Sequence, residues 1–419
     1  MKVLWFSNSP ASGAEYLNLS TLGAGWLSSL DKALSNKVEL HIAFYYPKEA
    51  VDFLHNGVFY YPICKKNWKW NFVKNKLFGS YIDNEDLSVY LDLIKKIGPD
   101  VVHIHGTENA FGAIIRYTSV PVIVSIQGNI TLCYQKFLSG IEKKYLSIKS
   151  FKFKSITDFP FYNSFNISYR LFRKMKDREI KNLEKCQYII GRTGWDRRIT
   201  RIFAPNSEYF EVNEIMRDVF YHNLWQFQND KKIILHTTNG DSPIKGFETL
   251  CHALHLLNKL GIDIEWRVAG ISENDLIVTV VKKQLKENYP TKGLVLLGGL
   301  KENDLIEKLL EASIYVMPSH IENSPNNLCE AMIIGMPCIA TFAGGTGSIL
   351  SDSKDGILVQ DGDPWVLAGA ILELQNNPEK AIELGKKARE RAIIRHDKEN
   401  IVNRLFNIYS IIIKNGEKN

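Results

Sequence analysis

The sequence lacks any apolar run that approaches the ~18 residues of a membrane-spanning helix, so no segment of its 419 residues is predicted to cross a bilayer. Its first apolar run, Lys2–Ser7, is too short for a signal peptide. The six cysteines are scattered and form no C-x-x-C pair, which favours reduced thiols over a disulfide framework or a zinc site. We therefore expect a cytoplasmic protein, either free or peripheral on the inner face of the membrane.

Charge is distributed unevenly along the chain. Residues 136–201 contain 17 Lys and Arg against 6 Asp and Glu, a net charge of +11, whereas the whole chain carries +6 and the remainder therefore −5. Basic residues interspersed with aromatics suit an anionic membrane surface or another polyanion, so this basic aromatic stretch (residues 136–201) predicts a peripheral membrane contact rather than nucleic-acid binding. Its aromatic residues include Phe151, Phe153, Phe159, Phe161 and Tyr169.

The stretch Pro318–Pro337 has the pattern of a ligand-binding loop followed by a helix. Ser324 is predicted as the N-cap and Pro325 as the first helical residue. The start of such a helix offers free backbone N–H groups and a positive dipole end, which suit a phosphate. Glu322 precedes the helix and Glu330 lies within it, so a carboxylate stands on either side of this position. Helical spacing predicts a buried stripe of Leu328, Ala331 and Met332 and a polar edge of Asn326, Asn327 and Glu330.

Two Glu residues with seven residues between them, followed by Ala-Met and Gly-x-Pro, resemble the E-x7-E signature of retaining glycosyltransferases with the GT-B fold, family 4 (glycosyl transferases group 1). The resemblance implies an α/β protein with two Rossmann-like domains that face each other across a cleft. It also implies that Glu322 contacts the donor sugar and that Glu330 holds the ribose hydroxyls of the nucleotide. An amphipathic helix with two solvated acids is the alternative interpretation. The donor-binding residues expected around this helix start are Ser324, Asn326, Asn327 and Leu328.

Two histidines lie near the end of the predicted central strand of the first half. The segment Asp100–Gly106 reads D-V-V-H-I-H-G, which places His103 and His105 on one face of a strand. Ligands of open α/β sheets bind at the carboxyl ends of strands. The pattern resembles the first-domain motif of family 4, which implies that His105 reaches the donor sugar and that His103 belongs to the core. A metal site is disfavoured, because His-x-His lacks third and fourth ligands.

A lysine lies in the first loop of the second half, where an α/β series begins again at Lys232. Lys245, followed by Gly246, stands between a strand and a helix and can meet a diphosphate as a point charge. Lys-Gly at this place resembles the phosphate-binding lysine of the family, although an exposed lysine near a helix start would look the same. The family usually carries an arginine five residues earlier, where this chain has Gly240. The candidates for the missing cation are Arg192, Arg197 and Arg198.

Glycines mark two further loops. Gly23 and Gly25 precede a predicted helix and resemble the glycine-rich first loop of family 4, although their spacing is not G-x-G-x-x-G and a simple loop is the alternative. Gly344 and Gly345 form a turn that we expect to border the phosphates.

The sequence Asp361-Gly-Asp363 resembles a D-x-D metal motif only superficially, because Asp363 followed by Pro364 reads better as a helix N-cap. We therefore predict no metal and no cofactor.

Length and composition predict two domains of a soluble globular protein, since 45% of the residues are hydrophobic and 23% are charged. The predicted boundaries are 1–210 for a first Rossmann-like domain that contains the basic aromatic stretch, and 211–395 for a nucleotide-sugar-binding domain. Residues 396–419 resemble the GT-B tail helix that packs back on the first domain. The resemblance is strong over residues 232–395 and looser over 1–200.

The resemblance implies a retaining, metal-independent transfer of a sugar from a nucleotide diphosphate donor to an acceptor hydroxyl. His105, Lys245 and Glu322 are the predicted catalytic residues. The expected acceptor is a glycan or lipid-linked glycan of surface polysaccharide or glycolipid synthesis. Two alternatives remain open: a nucleotide-sugar epimerase of the same fold, and a non-catalytic protein that binds polyanions or membranes. The sequence specifies neither the nucleotide, the sugar, the acceptor nor the oligomeric state.

Overall fold

A computed structural model describes residues 1–19, 25–64, 86–148, 150–151, 162–227 and 232–416. The chain folds into two compact units. The first comprises Met1–Thr131, Arg170–Arg217 and His396–Asn419, and the second comprises Leu132–Tyr169 and Asp218–Arg395. This division differs from the predicted boundaries in two places: residues 211–217 fall in the first unit, and Leu132–Tyr169 falls in the second. Of the predicted features, Gly23 and the aromatic residues Phe153, Phe159 and Phe161 lie outside the described residues.

The strands, numbered along the chain, are short and mostly buried. They are β1 (Lys2–Ser7), β2 (Glu39–Tyr46), β3 (Phe53–His55), β4 (Val58–Cys64), β5 (Val101–His105), β6 (Val122–Ser125), β7 (Ser150–Phe151), β8 (Tyr162–Asn163), β9 (Tyr188–Gly191), β10 (Glu208–Glu211), β11 (Ile233–Thr238), β12 (Ile264–Ala269), β13 (Leu294–Gly298), β14 (Ile314–Met317), β15 (Cys338–Thr341) and β16 (Ile357–Val359).

The helices alternate with these strands in both units. They are α1 (Gly13–Tyr16), α2 (Gly25–Leu34), α3 (Leu87–Ile97), α4 (Ile130–Lys136), α5 (Phe165–Leu183), α6 (Gly194–Phe203), α7 (Asp218–Tyr221), α8 (Phe247–Lys259), α9 (Leu276–Leu285), α10 (Glu302–Leu310), α11 (Asn326–Ile333), α12 (Thr346–Ile349), α13 (Pro364–Gln375), α14 (Pro378–Arg395) and α15 (Lys398–Gly416). Short 3-10 helices cover Ala110–Arg116, Lys143–Ser147, Pro243–Lys245 and Lys286–Asn288.

The first unit is built on a sheet whose strand order, within the described residues, is β10-β9-β6-β5-β1-β2-β4-β3. All neighbours pair in parallel except β3 and β4, which form an antiparallel hairpin at the edge. Parallel strands covered on both faces read as continuous apolar runs. Accordingly, every residue of β5 is buried, and in β1 only Lys2 is partly exposed.

The carboxyl-terminal helix α15 belongs to the first unit. Its apolar face, which includes Leu405 and Ile412, is buried in the same core cluster as Val3 and Trp5 of β1. A buried hydrogen bond also joins α15 to β1, because the indole N–H of Trp5 donates to the hydroxyl of Tyr409 at 3.0 Å. The tail therefore returns to the sheet from which the chain starts.

The second unit contains a parallel sheet with the order β13-β12-β11-β14-β15-β16 in the part of the chain that the structure describes. The prediction of an α/β protein with two Rossmann-like domains is confirmed by these two parallel sheets. Among the described helices, none is long and apolar enough to span a membrane.

Candidate functional site

The topology of the second sheet brings two distant loops together. β11 and β14 are neighbours, but the chain continues from β11 to one side of the sheet and from β14 to the other. The crevice outside the carboxyl ends of two such strands is where open α/β sheets bind ligands. The loop after β11 carries Lys245 and the loop after β14 carries Glu322, 77 residues later.

Lys245 and Glu322 form an ion pair at this point. The Nζ atom of Lys245 donates to Oε1 of Glu322 at 2.6 Å, and the hydroxyl of Ser319 donates to the same oxygen at 2.8 Å. The Lys245 side chain is 31% exposed and that of Glu322 is 10% exposed. Burial opposes the charge of Lys245, but the Glu322 carboxylate outweighs burial and raises the pKa of Lys245. The site therefore holds a preformed charged pair that solvent can still reach.

Main-chain contacts fix the two loops against each other. The backbone N–H of His320 donates to the carbonyl oxygen of Ile244 at 2.8 Å. Gly246 adopts φ +69°, and a Cβ atom at this residue would lie 1.9 Å from the carbonyl oxygen of Pro318. Only glycine fits such a close approach. The Lys-Gly pair of the sequence thus has a physical reason: the glycine lets the lysine loop pack directly on the glutamate loop.

Helix α11 begins one residue later than predicted. Pro325 has an extended backbone and occupies the cap position, so the helix starts at Asn326. The prediction that Ser324 caps the helix and that Pro325 is its first residue was wrong, because Pro325 itself occupies the cap position and no side-chain hydrogen bond caps the helix. Instead, Ser324 is 7% exposed, and its buried hydroxyl has no hydrogen-bond partner within the described residues. Oδ1 of Asn326 is likewise buried and without a described partner.

The remaining predicted residues of α11 have distinct environments. The side-chain amide of Asn327 donates to the carbonyl oxygen of Thr238 at 2.7 Å, which ties the helix to β11. Leu328 is fully buried in the core. Glu330 is buried on the second turn.

The glycine turn after β15 packs on the backbone of Glu322. The N–H of Gly345 donates to the Glu322 carbonyl oxygen at 2.8 Å. Gly344 adopts φ +59°, and a Cβ atom there would lie 2.0 Å from the same oxygen. These glycines therefore hold the Glu322 backbone in place, a function that their position in the sequence did not reveal.

In the first unit, His105 ends β5, next to β1. The chain runs from β1 to one side of this sheet and from β5 to the other, so this is the equivalent crevice of the first sheet. His105 is 1% exposed, and neither ring nitrogen has a hydrogen-bond partner in the described part of the chain. Burial, with smaller contributions from His103 and Arg192, lowers the pKa of His105 well below its usual value. Its imidazole is therefore neutral and free to donate or accept.

His103 has a different environment from His105. Its ring nitrogens lie 2.6 Å from the hydroxyls of Tyr409 and Ser125. Burial lowers the pKa of His103 to about 3. With both nitrogens satisfied inside the core, His103 has the structural environment that the sequence predicted for it.

Gly25 and the three candidate arginines also lie in the first unit. Gly25 begins α2, and a Cβ atom there would lie 2.4 Å from Cδ of Arg217. Arg192 pairs with Glu214 at 2.7 Å and lies over the ring of Trp26. The other two candidates lie on α6, where the Arg197 guanidinium is 5.9 Å from the ring centre of Tyr209 and Arg198 donates to the carbonyl oxygen of Gly194.

The D-x-D segment serves the fold. Oδ1 of Asp363 accepts hydrogen bonds from the backbone N–H groups of Trp365 and Val366, both at 3.0 Å, which confirms the predicted N-cap of α13. Asp361 pairs with Lys136 at 3.3 Å. Within the described ranges, no group of three or more His, Cys, Asp or Glu side chains could hold a metal ion.

Sequence reasoning did not identify Ser319, Asn239 or His320 as parts of this site. Ser319 donates to Glu322, and the side-chain amide of Asn239 donates to the carbonyl oxygen of Lys245 at 3.2 Å. Each is a polar residue within a few positions of a predicted site residue, which was the only signal in the sequence. Their hydrogen bonds depend on how two separate loops meet, and no spacing encodes that.

Comparisons with known proteins point to the same family as the E-x7-E signature. Residues 221–391 match the family described as Glycosyl transferases group 1. The chain is similar to the poly(ribitol-phosphate) alpha-N-acetylglucosaminyltransferase of Staphylococcus aureus, with 26% identity over 243 residues that make up 57% of this chain and 47% of that protein. The chain spans about half the length of the curated relatives it matches.

Two solved structures share the fold over nearly the whole chain. Sucrose-phosphate synthase from Thermosynechococcus elongatus aligns with a TM-score of 0.72 and 14% identity, over 99% of this chain and 100% of that one. HepE from Anabaena, in complex with UDP, aligns with a TM-score of 0.64 and 13% identity, over 98% and 100%. At these identities the likeness shows the fold alone. The chain therefore has the GT-B fold, and its residues 221–391 belong to the glycosyl transferases group 1 family.

Proposed function

We propose that this protein is a retaining, metal-independent glycosyltransferase that moves a sugar from a nucleotide diphosphate donor to an acceptor hydroxyl. The observation that carries the proposal is the Lys245–Glu322 ion pair, which lies where the loops after β11 and β14 meet. The E-x7-E signature and the family match over residues 221–391 support the same activity.

The diphosphate is the leaving group, and its developing charge has to be stabilised. Lys245 supplies a positive charge that remains on the amine because Glu322 raises its pKa. The start of α11 supplies a positive dipole end. The buried Ser324 hydroxyl, which lacks a described partner, is a further donor at the same helix start. In many enzymes, preorganised donors of this kind make the largest single contribution to stabilising the transition state.

Glu322 contacts the donor sugar in this proposal, and Glu330 holds the ribose hydroxyls. Glu322 is the better placed of the two for the reaction centre, since its carboxylate touches Lys245 directly. His105 contributes a neutral imidazole that can hydrogen-bond a sugar hydroxyl, because both of its nitrogens lack described partners. Gly344 and Gly345 act indirectly in this proposal, because they hold the backbone of Glu322 in place.

Retention follows from a front-face mechanism. The bond between the anomeric carbon and the diphosphate oxygen breaks, and its electron pair leaves with the diphosphate. The acceptor oxygen forms its bond to the anomeric carbon on the same face, and the acceptor proton passes to the departing phosphate oxygen. This mechanism comes from the family resemblance, and no residue of the chain is required as a covalent nucleophile.

We further propose a glycan or lipid-linked glycan as the acceptor, reached at an anionic membrane surface. The S. aureus relative is named for transfer to poly(ribitol-phosphate), which is a polyanion. The basic aromatic stretch of this chain, with a net charge of +11, suits the same kind of partner. Flotation with vesicles of phosphatidylglycerol and phosphatidylcholine tests this contact. Binding at low salt that weakens at physiological salt is expected, whereas no binding at either salt would contradict it.

The activity is tested with donors first. A thermal-shift screen against UDP-, GDP- and ADP-sugars should reveal one stabilising nucleotide, and UDP is the first choice because HepE was solved with it. The stabilising donor is then incubated with wild-type protein and with the Lys245→Ala variant. Slow release of free sugar by the wild type alone supports a transferase. Release of an epimer would favour the epimerase, and failure to bind any nucleotide diphosphate would favour a non-catalytic binding protein.

A further inference from the structure

A second charged pair lies in the second unit, on the same loop as Glu322 of the proposed donor site. Nε2 of His320 is 2.6 Å from Oε1 of Glu248, on α8, and their side chains are only 1% and 8% exposed. Nδ1 of the same ring is 3.6 Å from Oδ2 of Asp361, the partner of Lys136. Burial opposes the positive charge of His320, but these carboxylates outweigh it and raise the pKa of His320. A buried ion pair of this kind strongly restricts the loop that carries it, since breaking it leaves an uncompensated charge.

The pair is sealed by a segment from elsewhere in the chain. Gly140 lies so close that a Cβ atom on it would be 2.1 Å from Oε1 of Glu248 and 2.5 Å from Nε2 of His320. Gln284 of α9 holds this segment at Gly140 and at Glu142. Its amide donates to the carbonyl oxygen of Gly140 at 2.8 Å, and its side-chain oxygen accepts from the N–H of Glu142 at 3.1 Å. Solvent is therefore kept away from the pair by backbone rather than by a flexible side chain.

The same residue connects to the reactive pair through the main chain. His320 lies two residues before Glu322 and one after Ser319, which donates to the Glu322 carboxylate. Its own N–H bonds to Ile244, the residue before Lys245. A shift of the His320 ring would move both ends of the Lys245–Glu322 contact, because the loops share this hydrogen bond.

We propose that His320 is a positioning residue for the donor site: its buried contact with Glu248, sealed by Gly140, holds Glu322 against Lys245. Its role in catalysis rests on the proposed function, but the positioning itself does not. His320 does not touch the donor in this proposal. It acts through the Pro318–Glu322 loop, and the segment around Gly140 acts through His320.

The test measures the state of the Lys245–Glu322 ion pair directly and needs neither donor nor acceptor. The rate at which acetic anhydride labels Lys245 reports its unprotonated fraction, which rises about tenfold for each unit by which the pKa falls. Lys308 is the matched control, because it lies in the same unit, pairs with Glu311 and has the same 31% side-chain exposure. Peptide mass spectrometry of the full chain gives both rates from one sample.

His320→Ala should speed the labelling of Lys245 about three- to tenfold and leave Lys308 unchanged. His320→Gln should restore slow labelling, because its amide can still donate to Glu248. Gly140→Ala should speed the labelling of Lys245 by a smaller factor, while Gly369→Ala should have no effect, since a Cβ atom at Gly369 meets nothing within 4 Å. Unchanged labelling of Lys245 in both His320→Ala and Gly140→Ala would overturn the proposal. Faster labelling of both lysines would overturn it too, since that indicates general loosening.

Turnover then separates this inference from the proposed function. With a bound nucleotide sugar, His320→Ala should lower kcat by about tenfold with less than a twofold change in KM, and His320→Gln should recover most of kcat. Normal kcat in His320→Ala would contradict the positioning role. If the wild type turns over no nucleotide sugar although labelling of Lys245 shifts as expected, the positioning stands and the proposed function fails.

Discussion

The carboxyl edges of the two sheets carry different chemistry. In the first unit, β5 ends at His105, a buried imidazole that is neutral and surrounded by the rings of Trp5, Trp26 and His103. In the second unit, β11 and β14 lead to Lys245 and Glu322, an ion pair that solvent still reaches. Both edges are topological switch points of parallel sheets, so the fold provides the place in each case but not the charge.

Each edge suits a different chemical group. A diphosphate is anionic and needs a cation and helix N–H groups, which the second edge offers. A sugar hydroxyl is neutral and needs a hydrogen-bonding group that carries no charge, which the first edge offers. Burial is the physical cause of the contrast, because a histidine enclosed by rings loses its proton whereas a lysine beside a carboxylate keeps it.

Removing the charged residues at the carboxyl edge of the second sheet should have the largest effect. Lys245→Ala should abolish detectable transfer, since loss of one preorganised donor typically costs about 2.7–4 kcal/mol in the barrier, roughly 10²–10³-fold in kcat. Glu322→Ala should be comparably severe. Steady-state kinetics on purified variants, with circular dichroism as the folding check, measures this. Near-normal turnover in either folded variant would refute the assignment.

Two residues near the start of α11 should separate donor binding from the stability of the fold. Ser324→Ala should weaken nucleotide diphosphate binding by about 1 kcal/mol, roughly fivefold in Kd, without loss of thermal stability, because its hydroxyl bonds no described residue. Asn327→Ala should instead lower the free energy of unfolding by about 1 kcal/mol, because it releases the Thr238 carbonyl. Calorimetry and denaturant unfolding measure the two effects, and a reversed pattern would exclude the proposed roles.

Titration of the two site histidines sharpens the comparison further. His105 should remain neutral well below pH 6.5, whereas His320 should stay protonated above it. His105 therefore lowers the free energy of unfolding as pH falls below 6.5, because the imidazole binds a proton more tightly in the unfolded chain than in the folded one. The contribution of His320 is complete below pH 6.5 and is lost as pH rises through its folded pKa. Imidazole chemical shifts in His105→Phe and His320→Gln, compared with wild type, assign both; a cationic His105 at pH 6 would contradict the contrast.

The smallest expected effect is that of chelation. Lys245 and α11 supply the positive charge in this proposal, so EDTA should leave the transfer rate unchanged. Rates before and after dialysis against EDTA measure this, with a back-addition of Mg²⁺ or Mn²⁺ as the control. Complete loss that either ion restores would show that a metal supplies charge at the second edge.

Local patterns predicted the strands and most helices closely. The first apolar run, Lys2–Ser7, coincides with β1, and the lysine loop was recognisable from Lys245-Gly246. The start of α11 was missed by one residue, because the conformation of Pro325 depends on how its loop packs. The sequence also did not indicate that Leu132–Tyr169 belongs to the second unit, since Gly140 lies against Glu248 and His320, more than a hundred residues away.

The sequence by itself determined the alternation of strands and helices, the two α/β series and the identity of the charged residues, because periodicity and turn chemistry act over a few neighbouring positions. Only the tertiary structure decided that Lys245 keeps its proton beside Glu322, that His105 loses its own, and that His320 is enclosed under Gly140. Each of these states depends on burial and on a partner that lies distant in the chain, and neither is visible to a local pattern.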